Sequence, residues 1–247
     1  MLETRKDIIN QLKRDVLLRE GFKPRTAIAR RIKGLDAIEE ALPGGLFPTG
    51  AVHEFICPER ELAAASGGFI AGMLRSLMPQ GAVGIWISSG QACYPPVLKL
   101  YGLEPANFLF IRVQREKDVL WALEESLKYQ GLAAVIAEVR ELSFTESRRL
   151  QLAVETSRVT GFVLRNDVRR LGATACVARW QVSPAPSALD EDMPGVGHPR
   201  WKVELLKVRN GRTGSWKVEW AAGQFALVHE QLFEVSVNNP GRIAIAG

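Results

Sequence analysis

Cysteine and histidine are both scarce in this chain. Its three cysteines, Cys57, Cys93 and Cys176, form no C-x-x-C pair, and its three histidines, His53, His198 and His229, are scattered. Such spacing offers no zinc or other metal cluster, and sparse thiols fit a reducing cytoplasm. Also missing is any apolar run near the roughly 18 residues that a membrane-spanning helix needs. The first residues are charged from Glu3 to Lys6 and do not read as a signal peptide. A cytoplasmic protein with no metal and no membrane span is therefore expected.

A further absence lies between Gly44 and Gly68. A turn-rich run, Leu42-Pro-Gly-Gly-Leu-Phe-Pro-Thr-Gly50, leads into a short apolar strand, Ala51 to Ile56. After such a strand a phosphate-binding loop would supply G-x-x-x-x-G-K-[ST] and a helix. Here Cys57-Pro58-Glu59-Arg60-Glu61 and an alanine run lead to Ser66-Gly67-Gly68, followed by a helix expected over residues 67–78. The lysine that would bridge the outer phosphates is missing, and so is the hydroxyl that would hold magnesium. Ser66 and Gly67 stand in their places. Ser66-Gly67-Gly68 could still offer amides at a helix N-terminus, but Glu59 and Glu61 would repel a phosphate. The reading adopted is a packed helix start without a ligand.

What is present is a globular composition. Apolar residues make up 47% of the 247 and charged ones 24%, enough for one large domain or two small ones. Net charge is +5, a modest bias towards nucleic acid or acidic partners. Arginines crowd the middle of the chain at Arg148, Arg149, Arg158, Arg165, Arg169 and Arg170, where solvated helix faces are the bland alternative. Residues 4–20 read as an amphipathic helix with Ile8, Ile9, Leu12, Val16 and Leu17 as its stripe. From Ala51 onward apolar strands (51–56, 82–87, 108–113, 132–137 and from 162) alternate with helices (67–78, 95–101, 116–129, 143–160), which describes a parallel sheet covered on both faces. A strand over 173–182, a loop over 183–199 and a hairpin, 201–209 with 215–220, then end the pattern. The hairpin turns on Asn210-Gly211.

This order resembles the RecA-type recombinase core from about Leu35 to Phe225. Gly44-Gly45-Leu46-Phe47-Pro48-Thr49-Gly50 resembles that family's glycine turn, Ala134-Val135-Ile136-Ala137-Glu138 its Walker B strand, and Trp201 to Trp220 its late hairpin. Within that superfamily the chain is most similar to the ImuA family. That similarity rests on Leu-Pro-Gly-Gly-Leu-Phe-Pro-Thr-Gly-Ala-Val-His-Glu (Leu42 to Glu54), the absent Walker lysine, and Glu155-Thr-Ser-Arg-Val-Thr-Gly-Phe-Val-Leu-Arg165. The resemblance implies an N-terminal helix and basic connector (1–33), a RecA-like core with a degenerate phosphate loop (34–225) and a C-terminal tail (226–247). It also implies a place in the SOS response to DNA damage. There the protein would help assemble an error-prone translesion polymerase complex, with an ImuB-like Y-family polymerase homologue and its associated error-prone polymerase as partners. RecA and DNA are further candidate partners.

The expected site residues follow from that alignment. Cys57, Pro58, Ser66, Gly67, Gly68 and Glu138 would form a degenerate nucleotide pocket, with no cofactor expected. Gly90 or Gln91 stands where a catalytic acid would be, so no enzymatic activity is expected. Glu138 could hold a magnesium-bound water, but a salt bridge to Arg140 or a distant arginine is the reading preferred. Both DNA-facing loops look cut down. Arg165, Arg169 and Arg170 are the candidate DNA contacts, against a solvated or protein-facing cluster. Trp180, Trp201, Trp216 and Trp220 could stack on single strands but are read as core. The Ile8 to Leu17 stripe and the tail residues Ile243 and Ile245 are candidate partner-binding segments; packing on the protein's own domain is the alternative for the stripe. A SulA-like cell-division inhibitor and an ATP-dependent recombinase are the competing functions.

Overall fold

Six consecutive residues, Val-His-Glu-Phe-Ile-Cys, make strand β1 (Val52–Cys57), and every one of them is buried. A strand enclosed along its whole length must lie inside a sheet with both faces covered. The computed structural model describes residues 31–90, 94–166, 171–187 and 197–228. In it β1 lies at the centre of a nine-stranded sheet. The other strands are β2 (Val83–Ser88), β3 (Phe108–Arg112), β4 (Leu132–Val139), β5 (Thr160–Asn166), β6 (Ala178–Ala185), β7 (Arg200–Val208), β8 (Gly214–Ala221) and β9 (Gln224–Leu227). Their order is β3-β2-β4-β5-β1-β6-β7-β8-β9. All pairings from β3 through β1 to β6 are parallel. Those from β6 to β9 are antiparallel. A parallel α/β body finished by antiparallel strands, as the sequence pattern implies, is the architecture observed, and it matches a RecA-like core.

Alternation along the strands feeds two cores. Phe55 and Cys57 of β1 point to one face with Trp86, Ile136, Phe162 and Trp180. There they meet α2 (Arg60–Leu77), which follows the single short turn α1 (Asp36–Glu39). Val52, Ile87, Val135 and Val163 point to the other face, covered by α3 (Glu116–Lys128) and α4 (Phe144–Ser157). A reciprocal capping box starts α4: the Glu146 N–H donates to Ser143 Oγ at 3.2 Å and the Ser143 N–H to Glu146 Oε2 at 2.8 Å.

Several boundaries differ from the sequence pattern. The 95–101 segment is a 3₁₀ helix rather than an α-helix. Ser183, Pro184 and Ala185 continue β6, opposite Lys202, Trp201 and Arg200, instead of opening the loop. Regular pairing of β6 begins only at Ala178, not at Ala173. Trp180, Trp201 and Trp220 are buried and Trp216 packs against the same core, so none of them forms an exposed stacking platform. The last strand, β9, runs to Leu227 and crosses the boundary expected at 225. It closes back on the start of the core: the Phe225 N–H donates to Lys33 O at 3.3 Å. Gly34, at φ 82°, lies so close to the Phe225 carbonyl that a side chain has no room there.

His53 is fully buried in the middle of β1. It stacks on Phe47 with ring centroids 4.3 Å apart. Its Nε2 lies 2.7 Å from Pro48 O, and Nδ1 accepts from Trp180 Nε1 at 3.3 Å. That pattern requires a neutral ring, with the proton on Nε2. Burial pushes its pKa down to about 4, only partly opposed by the bond to Pro48. The unfolded chain therefore takes up this proton before the folded one does. The stability conferred is complete above the usual histidine range and is lost as pH falls towards 4. It amounts to about 3 kcal/mol. Denaturant melts from pH 7 to pH 4 should show this loss, and His53→Phe should flatten it; an unchanged slope in that variant would contradict the assignment.

Candidate functional site

Only Pro58 and Glu59 separate β1 from α2. The run Leu62-Ala63-Ala64-Ala65 has high helix propensity and extends the helix back to Arg60. This corrects the expected start at Gly67. Ser66, Gly67 and Gly68 lie within the helix, where their N–H groups are spent on carbonyls of the preceding turn. They cannot form an amide cradle at a helix N-terminus. The glycines make room instead. A Cβ on Gly68 would stand 2.5 Å from the Tyr101 hydroxyl and 3.2 Å from the Trp201 ring. On Gly72 it would stand 2.5 Å from the Phe225 ring.

Beside the first half of α2, a cavity of about 1000 Å³ opens at the C-terminal ends of β1, β2, β4 and β5. Strand register brings these ends together, with Cys57 opposite Asn166, Trp86 opposite Ile136 and Glu138 opposite Leu164. Cys57, Pro58, Gly67, Gly68 and Glu138 all line the cavity. Five of the six residues expected in a degenerate pocket are thus brought together. Ser66 is not among them. Its hydroxyl is buried and accepts from the Cys57 thiol at 3.3 Å. Burial pushes that thiol up to about 11, against the opposing pull of the Ser66 bond, so it stays protonated at neutral pH.

Glu138 does not make the expected salt bridge. Among the described residues its partner is the Trp86 indole, whose Nε1–H donates to Oε1 at 2.8 Å. Burial raises its carboxyl above the usual range, and the indole bond opposes that only in part. Arg140 is exposed, and its backbone N–H donates to the Glu116 carboxylate. No lysine is among the lining residues. No group of three histidine, cysteine or acidic residues fit to hold a metal ion occurs among the described residues. Trp86 and Asn166 are among the lining residues that the sequence reading did not place in the pocket. Asn166 Oδ1 is buried without a hydrogen-bond partner among the described residues. An indole reading as one more core residue of an apolar strand gives no sequence signal. An Asn placed where β5 ends is a faint one.

The arginine cluster does not hold together. Arg165 is buried, with its Nη1 2.6 Å from Glu54 Oε1. Glu54 Oε2 accepts from Arg179 Nε at 2.8 Å and from the Thr174 hydroxyl at 2.8 Å. One fully buried carboxylate thus ties β5, β1 and β6 across the sheet. Arg165 is therefore withdrawn as a DNA contact: its guanidinium faces the protein because an unpaired Glu54 could not be buried. Arg148 and Arg149 pair with Glu155 at 3.9 Å and Glu124 at 2.5 Å. Arg169 and Arg170 lie outside the described residues, as do the stripe from Ile8 to Leu17 and the tail residues Ile243 and Ile245.

No family model matches the chain. Among curated proteins it is similar to Protein ImuA of Caulobacter vibrioides, strain NA1000 / CB15N. The two are 34% identical over 195 residues, which cover 74% of this chain and 80% of that protein. The same values hold for Protein ImuA of strain ATCC 19089 / CB 15 of that species.

The Glu54 cluster predicts a graded response. Glu54→Ala leaves two guanidinium groups without their carboxylate and should cost about 3–5 kcal/mol in chemical denaturation. Arg165→Met should cost less, because Arg179 and Thr174 remain on Glu54. Equal losses in the two variants would contradict this account of the clamp. So would a DNA affinity that Arg165→Met abolishes in a still-folded protein.

Proposed function

Since the chain belongs to the ImuA family, we propose that it is a non-catalytic RecA-fold accessory protein. Its role is to help assemble an error-prone translesion polymerase complex in the damage-tolerance response. An ImuB-type Y-family polymerase homologue is its proposed direct partner. One observation above all supports the non-catalytic part. The connection from β1 to α2 is two residues long, so there is no loop to wrap a triphosphate. The chemistry around it points the same way. Glu59 and Glu138 line the cavity where phosphates would sit, and no lysine does. Losing even one such donor removes a large share of the charge stabilisation on which phosphoryl transfer depends. The fold then serves as a scaffold for protein contacts.

Residues 4–20, expected from the sequence to form a helix, and the tail are the proposed contact segments, since both fall outside the expected core. A tail truncation should begin after Val228, because β9 runs to Leu227 and the Val228 N–H donates to Lys217 O at 2.9 Å. Co-elution of the full chain with an ImuB-type protein tests the reading. The complex should form equally with and without magnesium-ATP, release no phosphate, and weaken when residues 1–21 or 229–247 are removed. Phosphate release, or a complex that forms only with ATP, would contradict it.

A further inference from the structure

The cavity beside α2 has a chemistry of its own, opposite to that of a phosphate site. Its inner wall offers acceptors. Asn166 Oδ1 is buried with no hydrogen-bond partner among the described residues. Leaving such an acceptor unmade costs about 1–3 kcal/mol. Glu138 accepts one hydrogen bond, from Trp86, and no cation is paired with it among the described residues. Its raised carboxyl reflects burial without a compensating positive charge. Both residues line the cavity at the ends of adjacent strands, and the Trp86 ring forms a wall beside them.

These groups are matched by donors rather than by an anion. Arg60 and Arg140 also line the cavity, but no ion pair joins either to Glu138 among the described residues. Glu59, the residue before α2, sets a negative charge against the positive end of the helix. A volume of about 1000 Å³ is far more than a lone ion needs. It lies in the range of pockets that enclose a ligand of several residues' size. The roof includes Ala63 and Ala64, whose small side chains leave room for a peptide backbone.

We propose that this cavity receives an arginine side chain carried on a segment of a partner protein, with its guanidinium on Glu138 and Asn166. A guanidinium fits better than an ammonium because its fixed fork of donors can serve two acceptors at once. The inference rests on the reading that phosphate binding has been lost, and it gives the vacated site a new ligand class.

Fluorine NMR of the full chain labelled with 5-fluorotryptophan tests it, with Trp86→Phe used to assign the Trp86 signal. N-acetyl-arginine amide is the probe and magnesium-ATP the competitor. The Trp86 signal should move saturably with the arginine amide and stay still with magnesium-ATP. Glu138→Gln should abolish the shift. Asn166→Asp should tighten binding several-fold, a gain that a damaged fold cannot produce. If neither compound moves the signal, the arginine site is wrong while the loss of nucleotide binding stands. If magnesium-ATP moves it saturably, the underlying reading fails as well.

Discussion

The place where α2 starts is the constraint on which the rest of this structure depends. Once the helix begins at Arg60, Gly68 and Gly72 fall on the face packed against Trp201, Trp220 and Phe225 of the antiparallel strands. Tyr101, Trp201, Trp220 and Phe225 then occupy the space that side chains at positions 68 and 72 would need. Moving the helix start to make a phosphate loop would pull these seats apart. A close-packed core does not yield such space cheaply. The alanine-rich first turns and the aromatic packing support each other, and an open cradle is incompatible with both. The cavity that remains is bounded by small residues above and by Glu138, Asn166 and Trp86 along the strand ends.

A second device holds the two halves of the sheet in one piece. Glu54 lies on the central strand, with Arg165 on the parallel side and Arg179 on the side where the sheet turns antiparallel. Buried ion pairs contribute modestly to net stability, because desolvation offsets most of the attraction. Their effect is to make alternatives costly. A one-residue slip of β1 against β5 or β6 would bury three charges without partners. Arg179 also donates to Gly172 O at 2.6 Å, and Lys207 to Thr174 O at 3.1 Å, so the segment before β6 is tied to the same cluster. Arg165, which looks like part of a nucleic-acid patch in sequence, is spent on internal order.

The parallel body was legible because β2 and β4 are apolar nearly throughout, and α3 repeats its buried residues Val119, Leu123 and Leu127 at helical spacing. The late hairpin was legible from Asn210-Gly211 between alternating strands, and Asn210 does adopt a positive φ of 56°. The start of α2 was not. Ser66-Gly67-Gly68 reads locally as a helix entrance, and only side chains far along the chain explain why its glycines sit inside the helix. Arg165 was misjudged for a related reason. A charged residue at the end of a strand is usually solvated, and its partners Glu54 and Arg179 lie on other strands. The pocket residues Cys57, Pro58, Gly67, Gly68 and Glu138 were found by position in the fold, whereas the Trp86 bond to Glu138 depends on register and left no trace in the sequence. The first and last segments lie outside the described residues, so their expected role as partner surfaces rests on the sequence alone.

The central claim is that a continuous helix replaces the phosphate loop. Backbone NMR of Ser66, Gly67 and Gly68, recorded without and with magnesium-ATP, tests it most directly. Helical carbon shifts and slowed amide exchange at all three residues, unchanged by the nucleotide, are the predicted result. Loop-like shifts with fast exchange, or amides that become protected only when magnesium-ATP is added, would contradict it.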